Sequence, residues 1–130
     1  MGSMPDDAAW VLVNGLTRTQ IVQFAGAVGD FNPIHTDEVY ATEVAQLPTV
    51  MAHGMLTMGL AGEALAQWVD QDSVTAFGGR FKAPVWPGDT LTVSLKREDG
   101  DEADATHSIT LVVTKQSGAE VFVGYARLRA

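Results

Sequence analysis

Asp30, Asn32 and His35 stand within six residues of one another in the stretch GDFNPIH (Gly29–His35), with Pro33 between them. A carboxylate and an imidazole five positions apart, on a segment stiffened by proline, can face one point without being helical neighbours. Such a pair can hold a water by two hydrogen bonds and move its proton, because histidine titrates near neutral pH. The plainer alternative is a wet turn, since Asp and Asn bond their own backbone there. A second group lies in AHGML (Ala52–Leu56). Gly54 opens a long apolar run, so its N–H would be one of those that a helix start leaves unpaired at the positive end of the helix dipole. A glycine there lets a carbonyl oxygen approach the backbone, which is what an oxyanion site requires; it also fits an ordinary helix start. His53 beside it reads either as a packing or capping histidine or as part of the site.

Two other chemistries are weighed against this. Asp30, His35, Asp37 and His53 fall within 24 residues and offer the ligand types of an open zinc site. They match no HExxH spacing, and the two histidines sit in unrelated contexts, so no metal is expected. No serine occupies a GxSxG elbow, which argues against a serine hydrolase.

The elements that must position these groups fall into two halves. Ala9–Asn14 reads as a short strand. Thr17 to Gln20 matches a capping box, Ile21, Phe24, Ala25 and Val28 follow at helical spacing, and Gly29 is placed to stop the helix. Asp37–Ala45 has room for one or two helical turns. Met55–Val69 is apolar nearly all round, the pattern of a buried helix, with Glu63 and Gln67 as its wet side. From Ser73 onward the chain turns β-branched and aromatic. Val74–Lys82, Thr90–Lys96, Ala105–Thr114 and Val121–Arg129 read as strands, separated by turns at Pro87–Asp89, Glu98–Asp101 and Ser117–Gly118. Helices grouped early and strands grouped late predict an α+β fold, an antiparallel sheet wrapped around the helix over residues 55–69. There are no repeats or low-complexity tracts.

Composition bounds the function. With 130 residues, 46% of them hydrophobic, the chain can bury a real core as one domain, read here as 4–130 after a cloning scar at 1–3. No run approaches the ~20 apolar residues that span a bilayer, so no membrane is expected. A net charge of −8 argues against nucleic acid. Zero cysteines exclude disulfides within the chain and are compatible with a cytoplasmic setting. Seven of the eight Lys and Arg residues follow position 79, most readable as charges on strand edges. Arg80 and Lys82 are two apart, would share one face of a strand, and form a small basic patch suited to a phosphorylated ligand.

These residues carry a resemblance. GDFNPIHTDEVYA (Gly29–Ala41) resembles the hydratase-2 motif of the MaoC-like dehydratases, Gly-Asp-x-Asn-Pro-x-His with a small residue further on, here Ala41. LTRTQIVQFAGAVGD before it, MAHGMLTMGLAG after it and RFKAPVWPGDTLTV later are similar to the same family in the same order. Thr17–Val69 is especially similar to the catalytic chains of its mycobacterial (3R)-hydroxyacyl-carrier-protein dehydratases. The resemblance implies a hotdog fold and (R)-specific hydration of trans-2-enoyl thioesters, or the reverse dehydration, on coenzyme A or acyl carrier protein. It implies Asp30 and His35 as the proton-handling pair, Asn32 as their support and the Gly54 N–H as oxyanion donor. It further implies substrate contacts at Pro33, His53, Met55, Leu56, Arg80, Lys82 and Trp86, an acyl pocket drawn partly from Met58 and Leu60, and no cofactor. A homodimer is expected, with a heterodimer of two hotdog chains as the variant. The competing readings are an acyl-thioesterase using Glu63, the only acidic residue of the long helix, and a subunit active only beside a partner chain.

Overall fold

A computed structural model of the protein describes residues 7–99 and 107–129. Strand β1 (Asp7–Val13) leads into α1 (Arg18–Val28), a single helical turn α2 (Pro33–Thr36), a π-helical turn (Tyr40–Val44) and α3 (Gly54–Trp68). After a 3-10 turn (Gln71–Ser73) come β2 (Val74–Phe81), β3 (Leu91–Asp99), β4 (His107–Lys115) and β5 (Glu120–Leu128). The five strands form one antiparallel sheet in the order β1-β3-β4-β5-β2. The fold is therefore α+β, as expected. The scar at 1–3 and the second half of the expected Glu98–Asp101 turn lie outside the described residues, as does the expected start of β4 at Ala105; Glu98 and Asp99 belong to strand β3 instead.

Local chemistry explains the boundaries. The Thr17 hydroxyl accepts from the Gln20 backbone N–H at 3.0 Å while the Gln20 side-chain Oε1 accepts from the Thr17 N–H at 2.9 Å, the reciprocal capping box that starts α1. Gly29 ends it in the left-handed region, φ 74°, where a side chain would be strained. Pro33 is pre-set for the first position of α2, and the Asn32 side chain caps that turn by accepting from the Ile34 N–H at 3.1 Å. The segment expected as a loop is thus half helical. Ala41 is fully buried in the π-helical turn, which accounts for a small residue there.

The core sits between α3 and the inner face of the sheet. Ala61, Ala64, Leu65 and Trp68 of α3 pack on alternate residues of the strands: Leu91, Val93 and Leu95, then Ile109, Leu111 and Val113. The sheet covers only one side of α3. Met55 is 56% exposed, and Gly59, Glu63, Ala66 and Gln67 also face outward. The wet side expected at Glu63 and Gln67 is exposed, and in the single chain it extends to Met55, Gly59 and Ala66, which residue hydropathy alone did not indicate.

The β2 end of the sheet is built on aromatic rings. Gly79 and Gly124 face each other across β2 and β5, and the Phe122 ring covers both, so closely that a Cβ on either would stand within 2.8 Å of it. Phe77 and Phe81 flank Phe122, with ring centres 6.5 and 5.5 Å away. The same two rings seat on α3, where a Cβ on Gly62 or Gly54 would meet them at 3.1 Å. Eight helical residues rise ~12 Å and four strand residues span ~13 Å, so the Gly54–Gly62 spacing on α3 matches the Phe81–Phe77 spacing on β2.

Candidate active site

Three short segments bring the site together. The turn after α1 carries Asp30, whose carboxylate accepts from the Asn32 N–H at 3.3 Å. Helical turn α2 carries His35, 7% exposed. The strand-like run before α3 is fastened to α2 by the Met51 N–H, which donates to the Ile34 carbonyl at 2.9 Å. The Met51 carbonyl in turn accepts from His35 Nδ1 at 2.5 Å. A carbonyl has no hydrogen to give, so Nδ1 carries the proton of the neutral ring and Nε2 keeps a lone pair. His53 is 3% exposed, and its Nε2–H donates to the Asp30 carbonyl at 3.1 Å by the same reasoning. Its ring stacks on His35, centres 3.7 Å apart and planes 21° off parallel, with the Phe24 ring edge-on behind at 5.0 Å.

The segment that delivers Met51 and His53 is tied down from outside. Glu38 accepts from the Thr49 hydroxyl at 2.7 Å and from the Val50 N–H at 3.0 Å, and pairs with Arg18 of α1. The Thr49 hydroxyl first, then the Arg18 guanidinium, hold the Glu38 carboxyl below its ordinary value.

Two pockets meet at Gly54. One, of about 680 Å³, has Asp30, His35 and His53 on its polar side and Phe24, Val28, Met55 and Phe81 on its apolar side. The other, of about 460 Å³, runs past Thr57, Lys82, Pro84 and Val121. They share His53, Gly54 and Phe81. Gly54 is the first residue of α3, exposed, and its N–H belongs to the first turn, which has no acceptor within the helix.

One nitrogen or oxygen from each of Asp30, His35 and His53 lies within 4.8 Å of the others. One water can span such a gap, since two hydrogen bonds reach about 2.8 Å each. A single metal ion fits less well. An imidazole binds a metal in its ring plane at about 2.0–2.1 Å, and an ion held by two rings stacked nearly face to face would lie out of the plane of at least one.

The structure thus brings together Asp30, His35, His53, Gly54 and Met55, with Lys82 in the adjoining pocket. Other expected contacts fall elsewhere. Leu56 is half-buried against the core, together with Met58 and Leu60, and none of the three lines either pocket. Asn32 and Pro33 shape α2 and line neither pocket. Arg80 is exposed and Trp86 half-buried, and neither lines either pocket. The turn that carries Trp86 has a structural logic of its own. Asp89, 7% exposed, accepts from the Trp86 N–H at 2.8 Å and from the Gln116 amide at 2.8 Å. Glu63 borders a different pocket, with Trp10 and Gln67, and nine residues from Gly54 along a helix is ~14 Å. Phe24, Val28, Gly59 and Phe81 join the site without having been singled out. Strand β2 ends at Phe81, so Lys82 does not share a strand face with Arg80 as expected; it lines the same pocket as Phe81, while Arg80 does not.

Residues 4–119 match the family described as "MaoC like domain". Among curated relatives, the 3-hydroxyacyl-thioester dehydratase Y of Mycobacterium tuberculosis is 37% identical over 78 residues, 58% of this chain and 27% of that protein. The (R)-specific enoyl-CoA hydratase of Rhodospirillum rubrum is 35% identical over 92 residues, 65% of this chain and 59% of that protein. The chain spans only 27% and 31% of the length of the first two curated relatives it matches. Among solved structures, the unliganded R-hydratase PhaJ1 from Pseudomonas aeruginosa superposes with a TM-score of 0.83 at 28% identity, covering 98% of this chain and 81% of that one.

Proposed function

Because the chain belongs to the MaoC-like domain family, we propose that it hydrates trans-2-enoyl thioesters and dehydrates (3R)-hydroxyacyl thioesters. The observation that carries this reading is the convergence of Asp30, His35 and the Gly54 N–H on one largely apolar pocket. In the hydration direction the Asp30 carboxylate and His35 Nε2 hold a water over C3. As its oxygen bonds to C3, His35 takes a proton, and the C2=C3 electron pair shifts so that charge gathers on the thioester oxygen. The Gly54 N–H, at the positive end of α3, stabilises that oxygen. The proton then passes to C2, the thioester carbonyl re-forms, and the balance is one water added. Dehydration retraces these steps.

The acyl chain lies in the pocket that holds the pair, and the pantetheine arm runs through the second pocket, where the Lys82 ammonium meets phosphate from coenzyme A or a carrier protein. The working form is a dimer: β2 leaves one edge of the sheet unpaired, and the outward face of α3 beside it is apolar at Met55. No helix among the described residues is long and apolar enough to cross a membrane. A cytoplasmic setting belongs to the same proposal and is checked by cell fractionation.

The test follows loss of the conjugated enoyl absorbance with crotonyl-CoA and a longer trans-2-enoyl-CoA, for wild type beside Asp30→Asn and His35→Ala. The expected result is an (R)-3-hydroxyacyl product, with each variant folded and slowed on the order of 10²-fold or more. Turnover that survives both substitutions discards this site. Activity that emerges only when a second hotdog chain is added selects the heterodimer.

A further inference from the structure

The two nitrogens of His53 are both turned to the interior of the fold, although its ring borders the pockets. Nε2 is engaged by the Asp30 carbonyl at 3.1 Å, and Nδ1 is buried with no hydrogen-bond partner. An unpaired acceptor in the interior is a cost that phenylalanine or leucine at the same place would avoid. What histidine provides there, and an apolar residue cannot, is a link between two groups that otherwise have no bond to each other. One edge of the ring holds the backbone of Asp30, 23 residues away in sequence, and one face supports the ring of His35 at 3.7 Å. Phe24, edge-on at 5.0 Å, backs the pair from α1.

We infer that His53 is a positioning residue that sets the separation of Asp30 and His35 and keeps His35 Nε2 turned toward the pocket. That role stands beside the expected substrate contact, since the His53 ring also lines both pockets. The inference rests on Asp30 and His35 being the proton-handling pair. It explains why the residue before Gly54 is an imidazole: Gly54 is held by the same chain segment, so the oxyanion donor and the water-holding pair are placed by one unit.

Two substitutions separate the functions of the ring. His53→Phe keeps the stacking face and removes the donor; His53→Gln keeps a donor of similar reach and removes the stack. Each is expected to lower kcat about 10- to 100-fold while KM stays within about 3-fold. A residue that merely packs would instead lower melting temperature and leave kcat per folded chain unchanged. The second readout needs no turnover. Imidazole nitrogen shifts should report His35 with its hydrogen on Nδ1 alone in the wild type, and a mixture of tautomers in both variants. If His53→Phe fails to fold, His53→Gln decides. The inference is overturned if the folded variants keep kcat within about 3-fold and His35 keeps one tautomer. A wild type that hydrates no enoyl thioester, with tautomer mixing still seen in the variants, keeps the positioning role and discards the reaction.

Discussion

A methyl group on Gly54 would stand 3.1 Å from the Phe81 ring, close enough that the ring must yield by a few tenths of an ångström. Phe81 is 49% exposed and free to do so, and the movement would push it into the pockets it separates. Gly54→Ala is therefore expected to leave the fold intact and lower kcat about 10-fold. Adding Phe81→Leu should return part of that loss, a coupling that steady-state kinetics on the four chains of a double-mutant cycle would measure. Glu38 makes a separate prediction. Its carboxyl is held below the ordinary 4.5 in the folded chain, so the folded state binds its proton more weakly than the unfolded one. The tie to Thr49 and Arg18 thus contributes stability at pH above that ordinary value, and the contribution is lost as pH falls through the lowered folded value. The gap in melting temperature between wild type and Glu38→Gln should be full near neutrality and close as the buffer is taken below 4.5. Added salt should narrow it too, since both Arg18 and Glu38 are partly exposed.

The aromatic shelf on β2 and β5 sets the limits at the level of elements. A Cβ on Gly79 would sit 2.5 Å from the Val123 carbonyl oxygen and 2.6 Å from the Gly124 Cα, and backbone cannot step aside as a side chain can. Gly79→Ala should cost about 1–3 kcal/mol or more, read from denaturant midpoints, and by displacing Phe122 it should disturb Phe81 and the pocket wall as well. Elements of this kind were only partly legible beforehand. Thr17, Gln20 and Gly29 announce α1 because capping is local chemistry, and the alternation of β3 and β4 survives in the alternating burial of Leu91 to Leu95 and Ile109 to Val113. Asp30, His35 and Gly54 could be singled out because their types and spacing suit one reaction. Phe24 and Val28 could not be told from core residues, since the apolar face of α1 runs on past the core into the pocket. Arg80 and Trp86 line neither pocket of the single chain, because charge and aromaticity name a capacity for contact while the fold decides where it is aimed. The partnership of His53 with both Asp30 and His35 needs a through-space geometry that no sequence window contains.

On the scale of the whole molecule, the unpaired edge of β2 lies beside the wall of the site, since Phe81 ends that strand and lines both pockets. If the second copy covers this edge, specific activity should fall on dilution in step with dissociation, so that assays across a concentration series and sedimentation on the same samples give one midpoint. A chain whose activity is independent of concentration down to a purely monomeric sample would contradict the dimeric form. The strand order has a further consequence, in time rather than in space. Strand β2 follows α3 directly in sequence, yet its neighbour in the sheet is β5, residues 120–128. During synthesis Asp30, His35, His53 and Gly54 can all be present while the strand bearing Phe81 has nothing to pair with. The ring that completes the pocket is seated only after β5 has emerged from the ribosome, and closing contacts so distant in sequence is slow. A nascent chain arrested before residue 120 would carry every group of the proposed chemistry and hold no substrate.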